Sequence, residues 1–476
     1  MQETGAVRPL AALALVTLLL CGTAAADTGA AAGAGPRRAL HAAAAAAGAK
    51  QYPFTYGAYD RRAQTGWAKG AKAGGSPEPV QGLMNPDKPA LGDLVLPWGY
   101  PLESYPVETP DGFILRLYRI PYGAKNATRA DPSKPKPAVL LHHGVTLASS
   151  SFVVLDPDSS MGFYLADAGF DVWLANTRTN TFSRGNRYYR ETDEGYYQYS
   201  MDELALADLP SQIDFVLKKA AQPSLAFVGH SQGCTLPLML LAAKPEYSEK
   251  LWLLMLLGAV THAQFIQAPY LRHQMITNGA VPYASAGIGE FGRNRVASQV
   301  VRGCKYEGIR GAFCSALINF AFYGPSTQVS PDDLTRVAST WVSGVGVRNL
   351  IHWSQMMNSS SGLRMFDYGT DCHKSPATGR AAFQESCNQA MYGQEEPPTY
   401  DLSQVKGVKV AIFQGDNDLM ATVPDVNRLL KAWRADVIYN VMWNDTAHMD
   451  FVCGQKEGAW VPEFPARVEE GARSQG

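Results

Sequence analysis

The sequence lacks a basic run and any marked excess of one charge. Of its 476 residues 18% are Asp, Glu, Lys or Arg, and 42 basic residues stand against 43 acidic ones for a formal net charge of -1. A nucleic-acid partner leaves a basic stripe, and none is present, so none is expected. Nor does the balance favour steering of charged substrates, so the expected substrate is neutral. No CxxC occurs, and none of the seven cysteines has zinc-ligand spacing. No metal site is expected. Long apolar runs are also scarce. The one at the amino terminus, Leu10 to Leu20, follows Arg8 and ends in the small residues Ala24-Ala25-Ala26. This is the charged, apolar and small-residue layout of a secretory signal cleaved after Ala26, and it is short for a membrane span. No transmembrane segment is expected in the mature chain.

Residues 27–85 are rich in Ala, Gly, Lys and Pro without periodicity, which reads as a flexible extension. With Cys21 inside the signal, six cysteines remain, and an oxidising compartment permits disulfides. The local pairs Cys304/Cys314 and Cys372/Cys387 are the candidates; Cys234 and Cys453 lie beside the motifs described next and are candidates to stay reduced. Three Asn-X-Ser/Thr tripeptides, at Asn126, Asn358 and Asn444, are glycosylation candidates that fit the same route. The expected location is the secretory pathway, ending outside the cell or in a vacuole or lysosome.

From about Leu91 the pattern becomes ordered. Phe113 to Ile120 alternates after Pro110-Asp-Gly112 and reads as an edge-type strand. Short apolar runs suited to buried parallel strands follow at 138–141, 170–174, 225–228, 251–257, 408–413 and 437–442. Helical patterns, such as 204–217 and 235–243, lie between several of them. This alternation predicts an α/β architecture, a mostly parallel central sheet flanked by helices. Residues 262–372 break the rhythm and read as an inserted, mainly helical cap. The core is then 86–261 and 373–476.

The chemistry centres on Gly229-His-Ser-Gln-Gly233, a G-x-S-x-G between an apolar strand and a helical stretch. That is the context of a nucleophile elbow, which presents Ser231 at the carboxyl end of a strand. A serine needs a base, and the base an orienting carboxylate; in this arrangement both follow the serine in the chain. Of the five histidines after the elbow, only His448 comes just after the last strand. The strand 408–413 ends in Gln414-Gly-Asp-Asn-Asp418, which offers Asp416 and Asp418, and spacing does not choose between them. An oxyanion requires two backbone N–H groups. One belongs to Gln232; the other is expected from Val145, in the loop after 138–141, where Gly144 permits close backbone approach.

Taken in order, the motifs resemble the acid lipase family, the gastric and lysosomal acid lipases and their plant relatives. The likeness runs from about Gly99 to Gly454. It is carried by Gly99-Tyr-Pro, Val107-Glu-Thr-Pro-Asp-Gly-Phe113, His143-Gly144, Gly169-Phe-Asp-Val-Trp-Leu-Ala-Asn176, Thr181-Phe-Ser-Arg184 and Asp208-Leu-Pro210. The elbow follows, then His352-Trp-Ser-Gln355, Phe366-Asp-Tyr-Gly369, Pro397-Pro-Thr-Tyr400, Asp425-Val-Asn427 and His448-Met-Asp-Phe451. The resemblance implies an α/β-hydrolase fold with a cap over the pocket, no cofactor, and hydrolysis of triacylglycerols or sterol esters at a lipid–water interface. Registering Asp425-Val-Asn427 on the family places its acid on Asp418, and its oxyanion positions fall on Val145 and Gln232. Three departures stand out: Cys234 for a usual threonine, Thr179 for a usual glycine, and a cysteine-flanked insertion between Gly369 and Tyr392. The competing readings are a carboxylesterase or acyltransferase acting on short or non-lipid acyl groups, and a non-catalytic interaction protein of the same fold. The presence of all three members of a Ser–His–Asp set argues against the last.

Overall fold

The computed structural model describes residues 90–124, 136–292, 323–360, 362–370, 387–433 and 436–454. The segments read as signal and extension, together with Asn126, Cys304, Cys314 and Cys372, lie outside them.

The chain enters through an antiparallel pair, β1 (Glu103–Glu108) and β2 (Phe113–Ile120), closed by the turn Pro110-Asp-Gly112. It continues through β3 (Ala138–His142), α1 (Met161–Asp167), β4 (Asp171–Leu174), β5 (Gly185–Asn186) and α2 (Leu209–Ala220). Next come β6 (Leu225–His230), α3 (Gln232–Ala243) and β7 (Leu251–Leu257). The main sheet is then left until β10 (Lys409–Gly415), α8 (Val423–Ala432), β11 (Asp436–Trp443) and α9 (Asp450–Cys453). Between β7 and β10 lie α4 (Pro269–Ile276), α5 (Val281–Ser285), β8 (Glu290–Phe291), α6 (Pro331–Thr340), β9 (Val345–Gly346) and α7 (Val347–Met357).

The sheet order is β1-β2-β4-β3-β6-β7-β10-β11, with β5 on the side of β2. From β4 to β11 neighbours are parallel. The architecture is that of the α/β hydrolases, and the apolar runs explain it. Both faces of the central strands are covered, so they alternate between two cores instead of between core and water. Leu140 and Phe227 pack with α2 and α3 on one face; Val139, Val228 and Phe413 pack with α1 on the other. The strand 113–120 is not an edge. β1 pairs outside it, and the edge position tolerates Pro106.

The stretch expected as helix at 204–217 is helical but not uniform. Leu204–Asp208 forms a π turn between Met201–Glu203 and α2. There the Asp208 carboxylate meets Arg178, which also grips Asp111 at 2.5 Å. All of Arg178 is buried, with its guanidinium 4.1 Å over the Phe113 ring.

The excursion between β7 and β10 packs over the carboxyl ends of the parallel strands. One side is fastened by ions: Arg184 bonds Glu191 and Glu290 of β8, each at 2.8 Å, with both the Arg184 and Glu290 side chains nearly buried. Thr181 and Ser343 exchange hydrogen bonds beside it. Among the described residues no helix is long and apolar enough to cross a membrane.

Candidate active site

Four loops at the carboxyl ends of β3, β6, β10 and β11 meet under the excursion, where open α/β sheets place their ligands. The elbow after β6 turns so tightly that Ser231 itself takes the strained conformation, φ 56° and ψ -120°. The two glycines serve contact, not torsion. A Cβ on Gly229 would lie 2.1 Å from the Gly233 carbonyl oxygen, and one on Gly233 would lie 2.3 Å from that of His142. Strand and helix therefore cross at a distance only glycine allows. Ser231 N–H donates to Leu257 O at 3.0 Å, tying the turn to β7.

His448 sits in the loop after β11. Its Nδ1 lies 2.8 Å from Oδ2 of Asp418. The other oxygen of Asp418 accepts the N–H groups of Met420 and Ala421, both at 2.8 Å, so the carboxylate is fixed on both sides. The geometry separates the two aspartates left open by spacing: Asp416 is exposed, and its carboxylate accepts the Thr446 N–H instead. His448 Nε2 is buried with no hydrogen-bond partner. Together His448 and Ser231 line a largely apolar cavity of about 1340 Å³, mouth included, shared between core and excursion.

Gln232, the first residue of α3, has an amide with no partner inside the helix. Val145 lines the same cavity. Gly144 presses on the elbow: a Cβ there would stand 2.9 Å from that of Ser231. The Gly144 carbonyl is held at 2.8 Å by Nδ1–H of His143, whose Nε2 accepts the Thr177 N–H at 3.2 Å. A trans peptide sets its N–H opposite its C=O, so this bond also sets the direction of the Val145 amide. Burial lowers the His143 pKa to about 4, keeping the ring neutral as that pattern requires.

Other supports were not legible in the sequence. Nε2–H of His230 donates to the His448 carbonyl at 2.9 Å; burial, then the neighbouring His448, hold His230 far below the usual histidine range. Gly258, at φ 55°, packs under the Asp–His pair, where a Cβ would stand 3.1 Å from both Asp418 Oδ2 and His448 Nδ1. The departures at positions 234 and 179 also find their places. The Cys234 thiol is buried, donates to Gly229 O at 3.1 Å, and is pushed up by burial, which makes it a packing group and no thiolate. Thr179 stands at φ 64°, the left-handed conformation that glycine adopts freely, with its hydroxyl bonded to that of Tyr199.

Cys234 and Cys453 are free thiols, whereas Cys387 is disulfide-bonded. Asn358 and Asn444 are exposed.

The chain is similar to several known proteins. Residues 91–156 match the family described as a partial alpha/beta-hydrolase lipase region, and residues 137–270 the alpha/beta hydrolase fold. Human lipase member K is 31% identical over 369 residues, spanning 77% of this chain and 86% of that protein. Human lysosomal acid lipase/cholesteryl ester hydrolase is 32% identical over 373 residues, 76% and 86% respectively. Human gastric triacylglycerol lipase is 29% identical over 399 residues, 81% and 92%.

Proposed function

The chain belongs to the acid lipase family, and on that premise we propose that it is a serine lipase that cleaves neutral lipid esters, triacylglycerols or sterol esters, through an acyl-enzyme. The observation that carries this reading is the Asp418–His448 contact of 2.8 Å, with Nε2 left free beside the cavity that Ser231 lines. In the forward step the Ser231 oxygen attacks the ester carbonyl while His448 Nε2 takes its proton. Asp418, bound to Nδ1, holds the tautomer and stabilises the imidazolium. The amides of Val145 and Gln232 receive the oxyanion. His448 then protonates the departing alcohol, and a water molecule, activated the same way, releases the fatty acid. The described parts of residues 262–372 act as the roof of the acyl site, whose apolar lining suits long chains. Access from a lipid–water interface and routing through the secretory pathway, to the cell exterior or a vacuole or lysosome, belong to the same reading. The names of the gastric and lysosomal relatives and the bonded state of Cys387 support that routing.

The test is one preparation assayed on triolein, cholesteryl oleate and a short soluble ester, beside Ser231→Ala. Long-chain hydrolysis that Ser231→Ala reduces by about 10⁶ is expected. Retention of more than a few per cent of activity by the variant would sink the assignment of the nucleophile.

A further inference from the structure

Two tryptophans of the excursion reach into the walls of the elbow. The Trp353 indole N–H, on α7, donates to the side-chain oxygen Oε1 of Gln232 at 2.7 Å in a buried setting. The Trp341 indole N–H, just after α6, donates to the hydroxyl of Thr146 at 3.2 Å, and the Ser343 backbone N–H donates to the Thr146 carbonyl at 2.7 Å. Gln232 and Val145 carry the two amides read above as oxyanion donors, and Thr146 is the residue after Val145. Thr146 also stands at φ 61°, a conformation unfavourable to a β-branched residue and kept only where neighbours over-determine it. The core supplies one such hold, the Leu147 N–H to Gly144 O bond at 3.2 Å; the excursion supplies the bonds to Thr146 itself.

We propose that Trp341 and Trp353 are positioning residues for the reaction, through which the excursion completes both sides of the oxyanion hole. A peptide N–H is useful to a transition state only when its direction is set beforehand. Each donor segment is fastened by one indole from above, so the placement of the excursion sets the rate of chemistry as well as access. The inference rests on the assignment of Ser231, Val145 and Gln232 made above.

The tryptophans also line the cavity, and the experiment separates positioning from contact with the acyl chain. Trp341→Phe and Trp353→Phe keep an aromatic wall and lose the N–H. On a soluble ester each is expected to lower kcat about tenfold with KM unchanged, short of the 10²–10³ lost with a whole donor. Affinity for an alkylboronic acid, which forms a tetrahedral adduct on the serine, should fall in proportion. Thr146→Val and Gln232→Ala remove the acceptors from the core side and should reproduce the losses, which guards against a misfolded tryptophan variant. The double variant Trp353→Phe/Gln232→Ala should be no worse than the weaker single, the signature of one shared interaction. Unchanged kcat in these variants, or a change confined to KM, overturns the inference while Ser231→Ala still abolishes turnover. An active Ser231→Ala overturns the reading beneath it.

Discussion

Replacing Gly144 by alanine adds a single methyl group at the most crowded point of the site. Its Cβ would lie 2.9 Å from Ser231 Cβ, 3.3 Å from His230 Nδ1 and 3.4 Å from His230 O. Carbon atoms in ordinary contact stand about 3.5–4.0 Å apart, so something must yield by roughly 0.6–1 Å. The elbow is held against retreat by the Ser231 N–H bond to Leu257 O of β7 at 3.0 Å. The displacement therefore falls on residues 144–147, the loop that carries the Val145 amide. A misplacement near 1 Å lowers rates by about 10², and overpacking of this kind destabilises by about 1–3 kcal/mol. Backbone torsion adds nothing, since Gly144 is not among the residues with positive φ. Gly169→Ala is the control: φ is 98° and no atom lies within 4 Å of the new Cβ, so stability falls and kcat stays. Turnover of a soluble ester, the rate of labelling by a fluorophosphonate and thermal melting should be measured for both. A Gly144→Ala enzyme with kcat within threefold of the parent refutes the reasoning.

Asp418→Asn should reduce kcat by about 10⁴ by favouring the wrong histidine tautomer, while Asp416→Asn, exposed and bound only to loop backbone, should change it less than tenfold; the reverse order in steady-state assays would move the acid by two residues. Arg178→Leu strips the partner from buried Asp208 and from Asp111, and should lower the unfolding free energy by about 3–5 kcal/mol in urea titration; a loss under about 1 kcal/mol contradicts the packing described. The third expectation concerns acid. Burial lowers the pKa of His142 to about 3, lowers those of His143, His262 and His352 to about 4, and holds His230 well below the usual histidine range. Between about pH 4 and 6.5 the unfolded chain binds protons that these rings refuse, and stability falls as pH falls. Burial also raises Asp202, Asp208 and Asp450 to about 6 and raises Asp171, Glu203 and Asp425. In the lower part of that window the folded chain binds protons there that the unfolded chain does not, and stability rises as pH falls. The two sets nearly offset, so unfolding free energy from pH 6 to 4.5 should change by no more than about one proton's worth, 1.4 kcal/mol per pH unit. A slope of several protons in melts across that range contradicts it.

The sheet and elbow were legible because each is written locally. Buried parallel strands appear as apolar runs, and the run at 251–257 coincides with β7. A strand followed by G-x-S-x-G has few other uses. Position in the sheet is not local: the strand 113–120 lies one place in from the edge because Glu103–Glu108, interrupted by proline, pairs beyond it. Spacing could not choose between Asp416 and Asp418; the family register pointed to Asp418, and the path of the loop sets that carboxylate against His448. His230, Gly258 and the two tryptophans escaped for the same reason. Their partners lie far along the chain, as with the 218 positions between His230 and His448, and no periodic pattern marks such a contact. At Thr179 the resemblance marked a position where glycine is usual, and the backbone supplies the reason, φ 64°.

The Arg184–Glu290 bond bears on the kinetics of traffic. Separating a buried guanidinium from its carboxylates costs about 3–5 kcal/mol. An opening of the roof at that edge would thus be populated about 10² to 5 × 10³ times less than one that leaves the bond intact. The helices that lead into that edge are built differently. α4 and α5 are short, and Ile276 and Ile288 there are 49% and 39% exposed, while Tyr270, Leu271 and Tyr283 on the same stretch line the cavity. A bulky ester admitted, or a fatty acid released, by parting these two helices meets the lower barrier, and apolar side chains already stand at that threshold. Parting these two helices while the Arg184–Glu290 bond holds is thus the less costly of the two openings.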